Sequence, residues 1–408
     1  MPTSRTALDG YQKRLLVFLG VAAFFEGYDF IALSQILPAL AEDFGFDDSA
    51  AGWLGGAVNL GGILAFFLVR QADRHGRRIM LAITIAGYTL CSFATGLTGN
   101  IYWFALAQIA ANTFLLAEYA LSMVYAAEEF PADRRGMALG VVQAVSAFGS
   151  IACAVLVPFL LKSELGWRLV YFAGTAPLVM LAFMRRNLRE TSRFLKHGGS
   201  DGSFPLLRIF RSGHRRTVGL LALVWTLTYA NTKVSLFFWK KHARDALGFD
   251  EQTLGGMIAI AAAASLPLIF VWPFVVDRLG RRGAGALVMV CLSLSTLGCY
   301  LLTSYMALLA SLFLTIFANT AVLVVLNAYT SEMFPTHLRA DGYAWSNNLL
   351  GRIGSLGGPP LTGQLAASLG GYGMAVAPSA VAPLLALVVI FLWLPETAGR
   401  ELEEIEAV

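Results

Sequence analysis

Apolar residues in this chain come in runs of about 20 or more, long enough to cross the roughly 30 Å hydrocarbon layer as helices. Hydropathy places such runs near residues 15–39, 51–71, 79–98, 101–127, 137–161, 167–185, 217–239, 253–276, 284–303, 306–331, 341–367 and 373–394. The pattern predicts an all-α membrane protein of twelve transmembrane helices. Barrel strands would be shorter and would alternate apolar with polar residues. Several runs hold glycine or proline at mid-span, among them Gly55-Gly56, Gly61-Gly62, Pro267, Pro273 and Gly357-Gly358-Pro359-Pro360. A bundle in lipid tolerates these through close helix packing and local bending.

Composition agrees: 57% of the 408 residues are hydrophobic and 14% charged, with a mean hydropathy of +0.65. Soluble domains carry roughly 25% charged residues. Basic residues orient the chain. With the N-terminus in the cytoplasm, 22 Lys and Arg fall on the cytoplasmic side and 5 on the other, namely Lys162, Arg168, Lys240, Lys241 and Arg244. The expected protein is a multi-pass inner-membrane protein with both termini cytoplasmic. The net charge of +4 follows from that asymmetry and carries no nucleic-acid footprint. The first run is too long, and too rich in Phe, Tyr and Glu at its centre, for an excised signal peptide. Cys91, Cys153, Cys291 and Cys299 lie in apolar runs without paired spacing and read as small buried hydrophobes.

The chain repeats itself at half its length. Asp73-Arg74-His75-Gly76-Arg77-Arg78 follows the second run, and Asp277-Arg278-Leu279-Gly280-Arg281-Arg282 follows the eighth, an offset of 204 residues. The same offset relates Glu128, Phe130, Pro131 and Arg135 to Glu332, Phe334, Pro335 and Arg339. Six crossings per copy is an even number, so the copies share one orientation and form a parallel repeat, with a central cavity expected between the halves. The domains read as an N-terminal six-helix bundle (1–185), a polar, basic cytoplasmic linker (186–216) and a C-terminal six-helix bundle (217–408).

On these residues the chain resembles the major facilitator superfamily over essentially its whole length. The paired D-R-x-G-R-R loops are the most specific mark. The E-x-F-P segments and the closing Pro395-Glu396-Thr397 resemble the sugar-porter, metabolite and aromatic-acid symporter and organic-ion transporter branches. One departure is the glycine usual four positions before the loop aspartate, which is Val69 in one copy and Pro273 in the other. The resemblance implies gating clusters at the cytoplasmic helix ends, with Asp73, Arg77, Glu128 and Arg135 in one half and Asp277, Arg281, Glu332 and Arg339 in the other. Charge-assisted hydrogen bonds there would lock the halves while the cavity faces outward.

Ionisable side chains at bilayer depth are costly and therefore mark sites. Glu26 and Asp29 lie about 11 and 14 residues into the first run, near the midplane, and their i,i+3 spacing puts them on one helix face. Two carboxyls on one buried face cannot both ionise cheaply, which is the condition for a proton carrier. The string Glu26-Gly27-Tyr28-Asp29 resembles the [D/E]-G-[F/Y]-D motif of aromatic-acid/proton symporters, which implies Asp29 as the proton site and Glu26 as its modulator. Glu118 resembles the fourth-span glutamate of metabolite/proton symporters, although the glycine two positions earlier is Leu116 here. Gln108 stands where sugar porters carry an arginine, which weakens a sugar assignment.

Arg352, in Gly351-Arg352-Ile353-Gly354, resembles the G-R-x-G of organic-ion transporters, and its planar fork suits a carboxylate. Lys233 adds a second positive point, unless it snorkels to the outer surface. Tyr28 and Tyr229, aromatic bodies with polar tips, and the amides of Asn231 and Asn319 complete the candidate substrate residues. The resulting expectation is a proton-coupled symporter of a small organic anion, a carboxylate whose body can be aromatic, working by alternating access. Proton-driven efflux of cationic or amphipathic compounds is the alternative, because the same carboxyls could attract a cation. A non-transporting membrane sensor is the alternative of another class, disfavoured because a linker of about 30 residues leaves no room for a sensory domain. No enzyme motif, nucleotide loop or metal-ligand cluster is present, so no enzyme activity, cofactor or metal is expected. The partners are protons, the lipid bilayer and the small-molecule substrate, with the chain acting as a monomer.

Overall fold

Every regular element among the described residues is helical. The computed structural model describes residues 8–184, 189, 208–211, 213–335 and 338–397. In chain order the helices are α1 (Gly10–Phe44), α2 (Asp48–Val58), α3 (Leu60–Arg70), α4 (Ala72–His75), α5 (Arg77–Gly96), α6 (Ile101–Glu129), α7 (Ala132–Leu160) and α8 (Trp167–Met184). Then come α9 (Arg208–Arg211), α10 (Arg215–Ser235), α11 (Trp239–Asp245), α12 (Glu251–Leu301), α13 (Tyr305–Glu332) and α14 (Arg339–Tyr343). A π-helical stretch (Ala344–Leu350), α15 (Ile353–Leu369), α16 (Tyr372–Ala375) and α17 (Ala377–Trp393) complete the series.

The architecture is the expected twelve-helix one. Eight of the helices or helix pairs are long and apolar enough to cross a membrane, α2 and α3 together making one of them, Asp48–Arg70. Among the eight, α12 runs for 51 residues. At about 1.5 Å per residue that is more than twice the hydrocarbon thickness. It is two crossings joined at Gly280, whose φ of 75° breaks the helical path where a side chain would be strained. The remaining crossings are α8, α10 and the run from α14 through the π-helical stretch to α15. Polar caps start several of these helices: Asn100 accepts from the amides of Tyr102 and Trp103 at 3.1 and 3.0 Å, and Asp250 from those of Gln252 and Thr253. Large apolar side chains such as Leu90, Phe274 and Leu392 are more than 60% exposed, as lipid-facing residues are.

The chain packs as two compact units, one within Met1–Leu40 and Leu60–Ser203, the other within Ala41–Asn59 and Phe204–Val408. Most of the expected linker, 186–216, lies outside the described residues. In the first unit, Leu15, Phe18, Leu19 and Ala22 of α1 pack with Met80, Leu81 and Ile85 of α5 and with Leu121 and Tyr125 of α6. In the second, Val218, Leu221 and Trp225 of α10 pack with Val288 and Leu292 of α12, Ala321 and Val325 of α13, and Ala386 and Ile390 of α17. Residues 41–59 join this second unit through backbone contact. A Cβ on Gly52 would sit 2.6 Å from the Pro359 carbonyl and 2.9 Å from the Gly363 Cα, so α2 lies directly on α15.

Candidate functional site

Two clusters of polar groups lie at bilayer depth, one in each unit. In the first, α1 carries Glu26 and Asp29. The backbone of α1 reaches α7 closely at Gly27, where an added Cβ would collide with Ser146, and the Ser150 hydroxyl donates to the Gly27 carbonyl at 2.8 Å. Asp29 points between α5 and α8. Its Oδ2 accepts from the Tyr88 hydroxyl and from Ser92 Oγ (2.7 Å), while its Oδ1 is buried without a hydrogen-bond partner, 3.0 Å from where a Cβ on Gly174 would stand. Tyr28 turns toward α8 and donates to the Val170 carbonyl at 3.3 Å.

Glu26 has different surroundings. It is 7% exposed, its Oε2 has no hydrogen-bond partner, and the carboxyl that acts on it electrostatically is Glu118 of α6. Glu118 in turn accepts from Ser122 Oγ at 2.8 Å. Spacing along α1 suggested a Glu26 and Asp29 pair; in the structure the carboxyl that acts on Glu26 is that of Glu118, and Asp29 has a hydrogen-bonded niche of its own. The reason is that residues three apart still differ by about 60° around a helix, enough to meet different neighbours in a tight bundle.

In the second unit the arginine is held by aromatic and amide groups. The Arg352 guanidinium lies 5.3 Å from the centre of the Tyr229 ring, and its Nε is buried with no hydrogen-bond partner. The Tyr229 hydroxyl donates to Asn347 Oδ1 (2.8 Å), Asn347 Nδ2 to the Tyr343 hydroxyl (2.8 Å), and the Tyr343 hydroxyl to Asn327 Oδ1 (2.7 Å). Asn347 and Arg352 both reach Tyr229 because the segment before the arginine is π-helical. At about 4.4 residues per turn, side chains five apart diverge by only roughly 50°, against about 140° in an α-helix.

Glycines seat this segment on α10. A Cβ on Gly354 would collide with the Thr226 carbonyl and lie 2.9 Å from the Ala230 nitrogen, and one on Gly351 would lie 2.7 Å from Trp225 Cβ. Lys233 follows Tyr229 by one turn of α10, and Arg352 acts on it electrostatically. The two candidate amides are engaged between helices: Asn231 donates to Ser379 Oγ and accepts from Thr296 Oγ1, both at 3.3 Å, and Asn319 donates to Ser235 Oγ at 3.2 Å and to the Thr315 carbonyl at 2.9 Å.

The D-R-x-G-R-R loops are organised around their second arginine-rich turns. Arg77 reaches Glu128 at 3.6 Å, while the side chains of Asp73 and Arg135 lie outside what the structure describes. In the second copy Arg281 bridges Asp277 (3.1 Å) and Glu332 (2.7 Å), and Arg339 is half-buried nearby in sequence at the start of α14. The closing Pro395-Glu396-Thr397 completes this corner. Glu396 accepts from the backbone amides of Arg281 and Arg282, each at 2.8 Å, and the Thr397 hydroxyl donates to Glu332 at 2.6 Å. A carboxylate thereby caps the helix that restarts after Gly280.

At the other end of α12 lies a charge cluster that the sequence did not signal. Lys240 pairs with Glu251 (2.6 Å), Lys241 with Asp48 (3.2 Å) and Asp245 (2.5 Å), and Arg244 with Glu42 and with Glu251 (3.7 Å). Burial alone would push the Lys241 ammonium toward neutrality, but Asp245 and Asp48 outweigh it and hold the group above its usual 10.5.

Tyr88, Ser92, Ser122, Asn347 and Tyr343 were not singled out in the sequence. Tyr343 and Asn347 could have been, since they stand four apart just before the G-R-x-G turn. Tyr88 and Ser92 could not, because only tertiary packing brings α5 to Asp29.

Comparison with known proteins places this arrangement. The sequence profile of the Major Facilitator Superfamily matches residues 19–358 and, in a second alignment, 221–407. The chain is 24% identical over 395 residues to the putative niacin/nicotinamide transporter NiaP of Bacillus subtilis (strain 168), covering 96% of this chain and 98% of that protein. It is 28% identical over 392 residues to a probable 4-methylmuconolactone transporter of Cupriavidus pinatubonensis, covering 93% and 90% respectively. The crystal structure of a D-xylose-proton symporter superposes with a TM-score of 0.78 at 19% identity, over 96% of this chain and all of the other, and shares the fold.

Proposed function

The chain belongs to the Major Facilitator Superfamily and is a multi-pass membrane transporter of a small molecule, and from that premise we propose that it carries an organic carboxylate together with protons. The observation that carries this reading is Arg352: a permanently charged fork at bilayer depth, braced by Tyr229, with a buried N–H that no acceptor among the described residues satisfies. A carboxylate supplies both the opposite charge and the missing acceptor. Niacin, in the name of the putative niacin/nicotinamide transporter, is a small carboxylic acid, which supports the substrate class.

Asp29, Glu26 and Glu118 are the groups proposed to take up the proton. Glu118 acts on Glu26 as a like charge, and a proton on either carboxyl relieves the repulsion. Asp29 keeps one oxygen without a donor, which leaves a place for a proton between α5 and α8. Loaded and empty carriers then reorient while half-loaded forms are disfavoured, which is symport by alternating access. The proposed setting is the inner membrane with both termini cytoplasmic, and the Arg77 and Arg281 corners serve as the gating clusters.

Uptake into proteoliposomes under an imposed pH gradient tests the reading, with carboxylates set against cations. Arg352→Ala is expected to abolish carboxylate uptake, and Asp29→Asn to spare exchange while removing pH-driven accumulation. Normal carboxylate uptake by the arginine variant, or cation transport in place of it, would overturn the proposal.

A further inference from the structure

A single row of hydrogen bonds runs through the second unit from the platform under Arg352 to Asn327 of α13. Tyr229 donates to Asn347 Oδ1 (2.8 Å), Asn347 Nδ2 to the Tyr343 hydroxyl (2.8 Å), and that hydroxyl to Asn327 Oδ1 (2.7 Å). Each bond fixes the direction of the next. Tyr343 gives its only proton to Asn327, so it accepts from Asn347, whose oxygen is then left for Tyr229. The row therefore ends in the Asn327 amide nitrogen, which makes no hydrogen bond among the described residues. Asn231 and Asn319, by contrast, spend theirs between helices.

Asn327 is exposed, although Val325, Leu326 and Tyr329 beside it are buried. It stands five residues before the end of α13 at Glu332, about 7–8 Å inside that crossing. Amide hydrogens turned to hydrocarbon would be costly, so this face of α13 meets water. The other end of the row is of the same kind. Arg352 lies 5.3 Å from the centre of the Tyr229 ring, and its Nε is buried without an acceptor among the described residues. The Tyr229 and Tyr343 hydroxyls are at most about 8 Å apart, the span of two hydrogen bonds and the amide between them. Both ends of the row thus offer unspent donors, one charged and one neutral, within the length of a small molecule.

Resting on the carboxylate reading above, we propose that Asn327 is a second substrate-binding residue, and that the preferred substrate carries a neutral hydrogen-bond acceptor, a ring nitrogen or a carbonyl oxygen, besides the carboxylate held by Arg352. The amide brings no charge of its own, so it suits a neutral acceptor better than a second anion.

Acids matched in shape and charge isolate the acceptor. Isonicotinate against benzoate, and 4-acetylbenzoate against 4-isopropylbenzoate, differ only at the end far from the carboxylate. Binding is read as ligand-induced thermal stabilisation of the purified full-length protein at neutral pH. Wild type is expected to bind the acceptor-bearing acid of at least one pair about fivefold more tightly, as one neutral hydrogen bond would give. Asn327→Leu removes the amide, and there the ratio falls to about one while the acceptor-free acids bind as in wild type. Asn327→Asp keeps the shape and the oxygen that accepts from Tyr343 but has no N–H, and it too loses the preference. Equal affinity within both pairs in wild type, or a preference that survives in either variant, overturns the inference and leaves the carboxylate reading standing. Failure of all four acids to bind wild type, with Arg352→Gln indistinguishable from it, removes the carboxylate reading and this inference with it.

Discussion

Glu396 holds the restart of α12 by two backbone hydrogen bonds, and removing it gives a measurable loss. Both oxygens are used: Oε1 accepts from the Arg281 amide and Oε2 from the Arg282 amide, each at 2.8 Å. Those amides follow Gly280, so they are first-turn donors with no partner inside their own helix. A hydrogen bond to a charged group contributes about 1.5–3 kcal/mol when buried, and partial exposure here lowers each to about 1–1.5 kcal/mol. Glu396→Ala should therefore destabilise the protein by about 2–3 kcal/mol. Glu396→Gln keeps one acceptor but turns an NH2 toward the second amide, and should lose at least half as much. Equilibrium unfolding of the purified protein in mixed micelles, by rising sodium dodecyl sulfate, measures both. A loss below about 0.5 kcal/mol for the alanine variant, or a glutamine variant equal to wild type, would refute the capping argument.

Gly354→Ala should cost about 1–3 kcal/mol by overpacking α15 against α10. It should also lift Arg352 off Tyr229, and unchanged thermal stability together with unchanged ligand-induced stabilisation would show that the glycine contact is not needed. Lys241 sets a pH dependence. Its folded value is raised above 10.5, so its contribution is complete below that pH and fades as pH rises through the folded value. The stability difference between wild type and Lys241→Met should be flat through neutral and mildly alkaline pH and shrink only in strong alkali. A difference that stays unchanged in strong alkali would refute the assignment to Lys241.

The crossings were legible because lipid imposes a simple rule, long apolar runs with satisfied backbones. The run of 51 helical residues in α12 was read as two crossings because Asp277 to Arg282 interrupts its hydropathy, and the break falls at Gly280. Arg352 and Lys233 stood out for the same reason, as charges where lipid tolerates few. What the sequence could not give is direction. Glu26 and Asp29 share a stretch of α1 yet meet different neighbours, and the grouping of 41–59 with the second unit depends on glycine contacts between α2 and α15 that no periodicity encodes. The amides behaved likewise: Asn231 and Asn319 looked the same as Asn347 in one dimension, and only packing shows that Asn347 braces the arginine platform while the others tie helices together.

The π-helical stretch from Ala344 to Leu350 makes the bearing of Arg352 a matter of counting. Were the same seven residues to relax to ordinary α geometry, at about 100° per residue instead of about 82°, the guanidinium would swing roughly 130° around the axis with every letter intact, whereas dropping one residue as they relax would bring it back to within roughly 30°. Two homologous chains aligned here without a gap, one π-helical and the other α-helical, would therefore point their charges at different walls. Residue count and helix type between Tyr343 and Arg352 thus set the bearing of the charge together.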